Sequence, residues 1–187
     1  LPCGYYRLHL QDENGMTENA CTFAVVPDPA KRVRNPETYF AIDSAQSLFG
    51  EKSAEELTEI VARAGLDIIR DRLSWKRVNP RKGKYDWNRY MLNARLLQEK
   101  GIAVCNTYHD APNWTKKYSR TLPDDLLDCY RFAEKATQAF QGKVTAWEFW
   151  NEEDIQFCME SAWDYAAAMK AAYLGFKAGN RKIPVAL

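Results

Sequence analysis

Residues 3–11 alternate loosely between polar and apolar side chains, and residues 20–26 do so again. That period of two is what a strand imposes when successive side chains point to opposite faces. Asp12-Glu13-Asn14-Gly15 between them is a turn signal. The two stretches read as strands of a larger β-sandwich. Pro27-Asp28-Pro29 breaks the alternation, and a basic stretch follows to Pro36. Proline removes a ladder donor and favours extended linker backbone, so a domain boundary is expected near residue 34.

Beyond that point the pattern changes to short apolar strands separated by stretches with helical period. Phe40-Ala41-Ile42-Asp43 is a strand candidate. Ser53-Ala54-Glu55-Glu56 reads as a capping box, with Leu57, Ile60, Val61 and Ala64 on the apolar side of the helix that follows. Gly65 stops that helix in the manner of a left-handed C-terminal residue, and residues 66–73 form the next strand. The grammar then repeats. Asp86 caps a helix with Tyr90, Met91, Ala94 and Leu97 on one face, Gly101 stops it, and residues 102–105 form a strand. Leu126, Tyr130, Ala133 and Phe140 make another face, stopped by Gly142, before an apolar approach at residues 144–146. Ser161 and Asp164 form a further cap, Met169, Ala172, Tyr173 and Phe176 a further face, and Gly179 a further stop. Residues 183–187 begin one more strand.

Repeated strand–helix units of this kind specify a parallel sheet with crossover helices. A doubly wound sheet usually carries a glycine-rich phosphate turn after its first strand, and neither G-x-G-x-x-G nor G-x-x-x-x-G-K occurs. A (β/α)₈ barrel needs about 250 residues, and this chain of 187 supplies four strand–helix units and the start of a fifth strand. The expected fold is therefore α/β. Residues 1–34 would be the end of a β-sandwich module plus linker, and residues 35–187 the first half of a (β/α)₈ barrel.

Composition narrows the function classes. With 26 basic against 25 acidic residues the net charge is +1, and no basic stripe suggests a nucleic-acid partner. No run of about 18 apolar residues suggests a membrane span. The chain opens Leu-Pro-Cys without an apolar leader, as expected of a processed or excised piece. The five cysteines show no C-x-x-C spacing, which argues against zinc ribbons and thioredoxin chemistry. Cys3 and Cys21 share one small segment, but a hairpin folded about its middle would not set them opposite each other. Cys105, inside an apolar strand, reads as an inert core thiol. Six tryptophans suit either sugar stacking or a large core.

The strongest chemical signal is Trp147-Glu148-Phe149-Trp150-Asn151-Glu152-Glu153-Asp154, an apolar strand that ends abruptly in polar residues. Catalytic groups of barrels sit at the C-terminal ends of strands. Strict alternation would put Glu148, Trp150 and Glu152 on one side and Asn151 on the other. Asn151 and Glu152 reach one site only if the strand stops or bulges there. Glu148, deeper in the strand, is expected to be a paired structural group.

This stretch resembles the acid/base signature of the clan A retaining glycoside hydrolases, Trp-Glu-Ile-Trp-Asn-Glu-Pro, with Phe149 for the Ile and Glu153 for the Pro. Arg70-Asp71-Arg72-Leu73-Ser74-Trp75, Val78-Asn79-Pro80 and Gly83-Lys84-Tyr85-Asp86-Trp87 are similar to the second strand and following loop of those enzymes, with Asn79 in place of a common Glu. The resemblance implies that Glu152 is the acid/base of a double-displacement glycosidase and that Asn151 holds a sugar 2-hydroxyl. It implies that Arg70 lies beside the nucleophile, with Arg72 as the alternative. His109 and Trp114, in a loop with a Pro-x-Trp element, would line the sugar pocket. Trp114 and Trp150 would stack on a pyranose, and Asp43 joins the site by its place at the end of the first strand.

The family's nucleophile, a Glu near the end of the seventh strand, would lie outside this chain. The expected partners are a carbohydrate substrate and the remainder of the barrel. No cofactor and no metal are implied, and the chain's two histidines make a His-rich metal site improbable. The family suggests secretion or a periplasmic home. The alternatives are a non-catalytic carbohydrate-binding protein on the same barrel and a doubly wound domain of other chemistry.

Overall fold

The computed structural model describes residues 1–11, 13–15, 17–28, 31, 33, 37, 39–117 and 121–186. The boundary expected near residue 34 lies outside them, as do Asp12 of the turn signal, Pro29, Pro36 and Leu187. The N-terminal pair is present: β1 (Gly4–Gln11) and β2 (Thr17–Val25) run antiparallel. Pairing carries past a register shift to Gln11–Thr17, so β2 begins earlier than the alternation suggested. Tyr6 and Phe23 stack on one face of the hairpin at 5.3 Å between rings, while Tyr5, Leu8 and Leu10 stay exposed. Cys21 stands opposite Leu8, and Cys3 and Cys21 are both free thiols.

The second sheet has five parallel strands: β3 (Ala41–Asp43), β4 (Ile68–Ser74), β5 (Ala103–His109), β6 (Ala146–Phe149) and β7 (Val185–Ala186). Their spatial order is their chain order. A doubly wound sheet reverses its strand order at a switch point; this sheet never reverses, which removes that reading. The connections carry α1 (Glu51–Arg63), the short α2 (Trp75–Val78), α3 (Asn88–Glu99), α4 (Leu126–Ala139) and α5 (Ala162–Gly179).

Period-two alternation divides the strands into two faces. Ile69, Leu73, Val104, Tyr108, Trp147 and Phe149 form one cluster with Val61 of α1, Leu97 of α3, Phe132 of α4 and Phe176 of α5. Rings dominate this layer. Trp75 stacks on Phe132 at 4.8 Å, and Trp147 stacks on Phe176 at 5.3 Å. Each fully buried large side chain removes enough apolar area to contribute roughly 1.5–3 kcal/mol. Half of the six tryptophans, Trp75, Trp147 and Trp150, are buried, whereas Trp163 is exposed. The other face carries Ile68, Arg70, Arg72, Cys105, Ala146 and Glu148, all half-buried.

Several local expectations are corrected. Ser53 does not cap α1; the helix starts at Glu51 with Gly50 at its N-cap and no side-chain cap. The α4 face is Cys129, Phe132, Ala133, Ala136 and Phe140, while Leu126 is exposed. On α5 the buried positions are Ala168, Ala172, Gly175 and Phe176, and Tyr173 is exposed. Gly65, Gly101 and Gly142 are left-handed as helix stops should be, but Gly179 is the last residue of α5 and serves packing. A Cβ there would lie 2.7 Å from Glu134 O, and one at Gly175 would lie 2.2 Å from Tyr130 O. The two glycines, one turn apart, let α5 press its backbone onto α4. The cap at α5 is as expected, with Asp164 N donating to Ser161 Oγ at 3.2 Å. At α3 the N-cap is Trp87, with no side-chain cap; Asp86, expected there, lies one residue earlier, its carboxylate accepting from Asn88 N at 3.0 Å.

Candidate functional site

At the C-terminal end of the sheet the backbone leaves its ordinary regions. Four non-glycine residues have positive φ among those described: Ala45 (47°), Asp110 (66°), Trp150 (68°) and Glu152 (51°). They follow the ends of β3, β5 and β6. Each such conformation costs on the order of 1–3 kcal/mol and persists where surrounding structure enforces it. At Trp150 the consequence can be traced. Strand β6 ends at Phe149, and Trp150 N still donates to Tyr108 O at 2.9 Å, but its left-handed φ breaks the alternation. Asn151 therefore turns to the face that carries Glu148, and its Oδ1 lies 3.3 Å from Arg70 Nη2. Glu152, the next residue, is exposed.

Arg70 is the hub of this face. Its Nε donates to Glu148 Oε2 at 2.7 Å, its Nη2 to Glu148 Oε1, and its Nη1 to Asp43 Oδ2 at 2.6 Å. Arg72 Nη2 donates to the same Asp43 oxygen at 2.6 Å. The Glu148 hydrogen bonds push the Arg70 guanidinium above its already high pKa, with Asp43 adding to the effect. Burial alone would raise Asp43, but the two arginines outweigh it and hold its carboxyl below the ordinary 3.8. Cys105, beside them on β5, has its thiol pushed up to about 11 by burial and the nearby Glu148 charge.

Around this hub lie buried polar atoms without a hydrogen-bond partner: Ser44 Oγ, Arg72 Nε, Thr107 Oγ1, both His109 ring nitrogens and Asn151 Nδ2. Such atoms are rare inside folded proteins; these six lie on the Arg70 side, while Gln46 Oε1 and Asn106 Oδ1 are unpartnered on the helix-covered side. His109 Nδ1 is 3.4 Å from Asp110 Oδ1, close enough for an ion pair but not aligned for a hydrogen bond. Burial would raise the Asp110 carboxyl, but His109, Lys76 at 3.5 Å and the Ser74 hydroxyl at 3.0 Å bring it well below the ordinary range.

The two aromatic candidates are placed differently. Trp150 is 3% exposed and its Nε1 donates to Phe157 O at 2.7 Å. Trp114 is half-buried, its Nε1 donates to Asn79 O at 2.8 Å, and the Lys82 ammonium lies 5.7 Å from its ring. Asn79 organises the turn after α2. Its Nδ2 donates to Arg81 O and Lys84 O, each at 2.8 Å. A Glu has no N–H to make those bonds.

Sequence reasoning passed over Lys76, Asp110 and Lys116. With Asn113 and Trp150 they line a cavity of about 210 Å³ between the loops after β4, β5 and β6. The signal was there in part, since Asp110 directly follows His109 in the loop already singled out. A larger cavity of about 460 Å³ lies at the opposite, N-terminal edge of the sheet, lined by Val26, Phe40, Arg63 and Leu66. Its charged residues, Asp28, Lys31 and Arg63, are separate from the Arg70 cluster, and the site is placed at the C-terminal edge, where that cluster and the unpartnered atoms lie. Among the described residues no cluster of three or more His, Cys, Asp or Glu could hold a metal ion, and no helix is long and apolar enough to cross a membrane.

No family model matches the sequence, and no curated protein matches it. Solved structures do. A family 39 glycoside hydrolase from the gut symbiont Bacteroides cellulosilyticus WH2 aligns with 98% of this chain at TM-score 0.72 and 23% identity, over 38% of its own length. GH5_18 from Streptomyces cattleya, solved in complex with GlcNAc, aligns with 79% of the chain at TM-score 0.65 and 13% identity, over 43% of its own. A β-glucosidase from Exiguobacterium marinum aligns with 72% at TM-score 0.54 and 18% identity, over 36% of its own. The chain thus spans less than half the length of each of these proteins. At these identities the likeness is one of fold: five consecutive parallel strands with their crossover helices, the first half of the (β/α)₈ barrel on which these glycoside hydrolases are built.

Proposed function

We propose that the protein carrying this chain is a retaining glycoside hydrolase with Glu152 as its acid/base. The observation that supports it most is the break at Trp150. It brings Asn151 from β6 onto Arg70 from β4, uniting in space the two motifs that resemble clan A enzymes. In the proposed reaction Glu152 protonates the glycosidic oxygen as a carboxylate attacks the anomeric carbon from the other face. Glu152, now ionised, then takes a proton from the water that releases the sugar. The attacking carboxylate would come from the seventh strand of the barrel, outside this chain, about 5–5.5 Å from Glu152. Asn151 Nδ2, buried and unpartnered, is a donor for the sugar 2-hydroxyl. His109 and Trp114 would line the sugar pocket in this reading, and no cofactor takes part. The substrate is a carbohydrate, secretion fits such a role, and residues 1–34 are the end of an N-terminal β-sandwich joined to the barrel.

The test is Glu152→Gln in the full-length protein. Hydrolysis of glycosides with poor leaving groups should fall by about 10²–10⁴-fold. The glycosylation step on activated aryl glycosides, which needs little protonation, should be nearly unchanged. Equal loss of that step on both substrate types would sink the acid/base role. Sugar binding without turnover in the wild type would favour a non-catalytic carbohydrate-binding protein.

A further inference from the structure

A guanidinium has five N–H donors, and four of those on Arg70 are committed within this chain. Nε and one Nη2 proton go to the two oxygens of Glu148, the other Nη2 proton to Asn151 Oδ1, and one Nη1 proton to Asp43 Oδ2. One Nη1 proton has no partner among the described residues. We propose that Glu148 is a positioning residue for the reaction. Its two-point grip fixes the plane of Arg70, and Asp43 and Asn151 occupy two of the remaining donors. The arginine then offers the attacking carboxylate one N–H instead of a fork.

The inference rests on the glycosidase reading, since it concerns what Arg70 presents to the nucleophile. Glu148 does two things. Bidentate contact removes the rotation that a single hydrogen bond would permit. Its charge, with that of Asp43, also offsets Arg70, so the nucleophile is oriented by a hydrogen bond without being bound as a full ion pair. Asp43, Arg70 and Glu148 come from β3, β4 and β6, and Asp43 is held in turn by Arg72 at 2.6 Å. The guanidinium is therefore clamped from both sides along the sheet.

Glu148→Gln in the full-length protein keeps the shape and removes the charge. On a panel of aryl glycosides, kcat should fall on the order of 10- to 100-fold, as small misplacements of reacting groups do, with KM little changed. With Arg70 less compensated, the nucleophile carboxylate should ionise more readily, moving the acidic limb of the kcat/KM profile down by about one pH unit. An unchanged limb and unchanged kcat per folded molecule, with only Tm lowered, would reduce Glu148 to a structural ion pair and overturn the proposal. A second readout needs no turnover. The ¹⁵N-detected Nε–H signal of Arg70, assigned by its loss in Arg70→Met, should be sharp and slow to exchange in the wild type and broadened in Glu148→Gln. A signal that exchanges freely in the wild type would also overturn the proposal. Wild type that hydrolyses no glycoside while the Arg70 signal stays protected would instead refute the glycosidase reading and leave the grip of Glu148 established.

Discussion

Arg70 and Asp71 are neighbours on β4 and end in opposite surroundings. Asp71 points to the helix-covered face and is buried. Ser47 N donates to its Oδ1 at 3.0 Å, and Ser47 Oγ and Asn93 Nδ2, the latter at 2.6 Å, donate to its Oδ2. Gln46 extends the cluster by donating to Asn93 Oδ1 at 2.5 Å and Thr58 Oγ1 at 3.3 Å. Among the described residues no cation takes part, and burial raises the Asp71 carboxyl above its ordinary value despite those donors. Arg70 points to the other face, half-buried among Asp43, Glu148 and a set of unpartnered polar atoms. On one face the Asp71 carboxylate is held by donors of this chain's own turn and helix, with Gln46 Oε1 and Asn106 Oδ1 left unpartnered beside it. The other holds charges poised around groups still open to a partner. Changes on the first should therefore be read in stability, and changes on the second in turnover.

The sharpest test of that division is Asp71→Ala, which strands three buried donors and opens a cavity. It should destabilise by about 3 kcal/mol or more, seen as a drop in the midpoint of urea unfolding. Stability unchanged within error would break the comparison at its outer face. Next in size is Gly175→Ala, where α5 must lift off α4 because the new methyl meets Tyr130 O. A loss of about 2 kcal/mol is expected from overpacking, against the gain that alanine gives an unpacked helix. On the inner face, Arg70→Met should lower turnover of the full-length protein at least about tenfold, ~1.4 kcal/mol of barrier, and shift Tm less than Asp71→Ala does. A collapse in Tm with normal residual turnover would mark Arg70 as structural.

The smallest effect sought is one of pH. Asp43 titrates below 3.8 in the folded chain because of Arg72 and Arg70. Its contribution is present above the pKa of the unfolded carboxyl and lost as pH falls through the folded value. Asp43→Asn should accordingly be less stable than wild type at pH 6, and the gap should close below about pH 4. Asp71, raised instead of lowered, has the opposite sign: its ionisation costs stability as pH rises above 3.8. A gap at Asp43 that widens on acidification would show that the ion pairs are not what shift it.

Much of this was legible in the sequence because it depends on local periodicity. The strand–helix grammar, the left-handed stops at Gly65, Gly101 and Gly142, and the cap at Ser161 follow from backbone rules that act within a few residues. The missing phosphate turn already favoured a barrel, and the strand order excluded the doubly wound alternative. The α4 face was misread because Leu126 and Tyr130 are apolar enough to suit either side. Which side is buried depends on where α5 lies, and Gly175 and Gly179 set that. Gly179 looked like a stop because a glycine beside a helix end has the same composition whether it turns the backbone or admits a neighbouring one.

The sequence by itself determined the element order, the parallel character of the sheet and the polar end of the strand that carries Asn151 and Glu152. Only the tertiary structure decided that Trp150 turns left-handed and swings Asn151 onto Arg70, that Glu148 and Asp43 divide the donors of that arginine, and that Asn79 holds the turn after α2. Strand alternation is a property of one segment, readable from its residues. Which charges meet across β3, β4 and β6 depends on strands of which β3 and β6 lie about a hundred residues apart in the chain, brought into register only when the sheet forms.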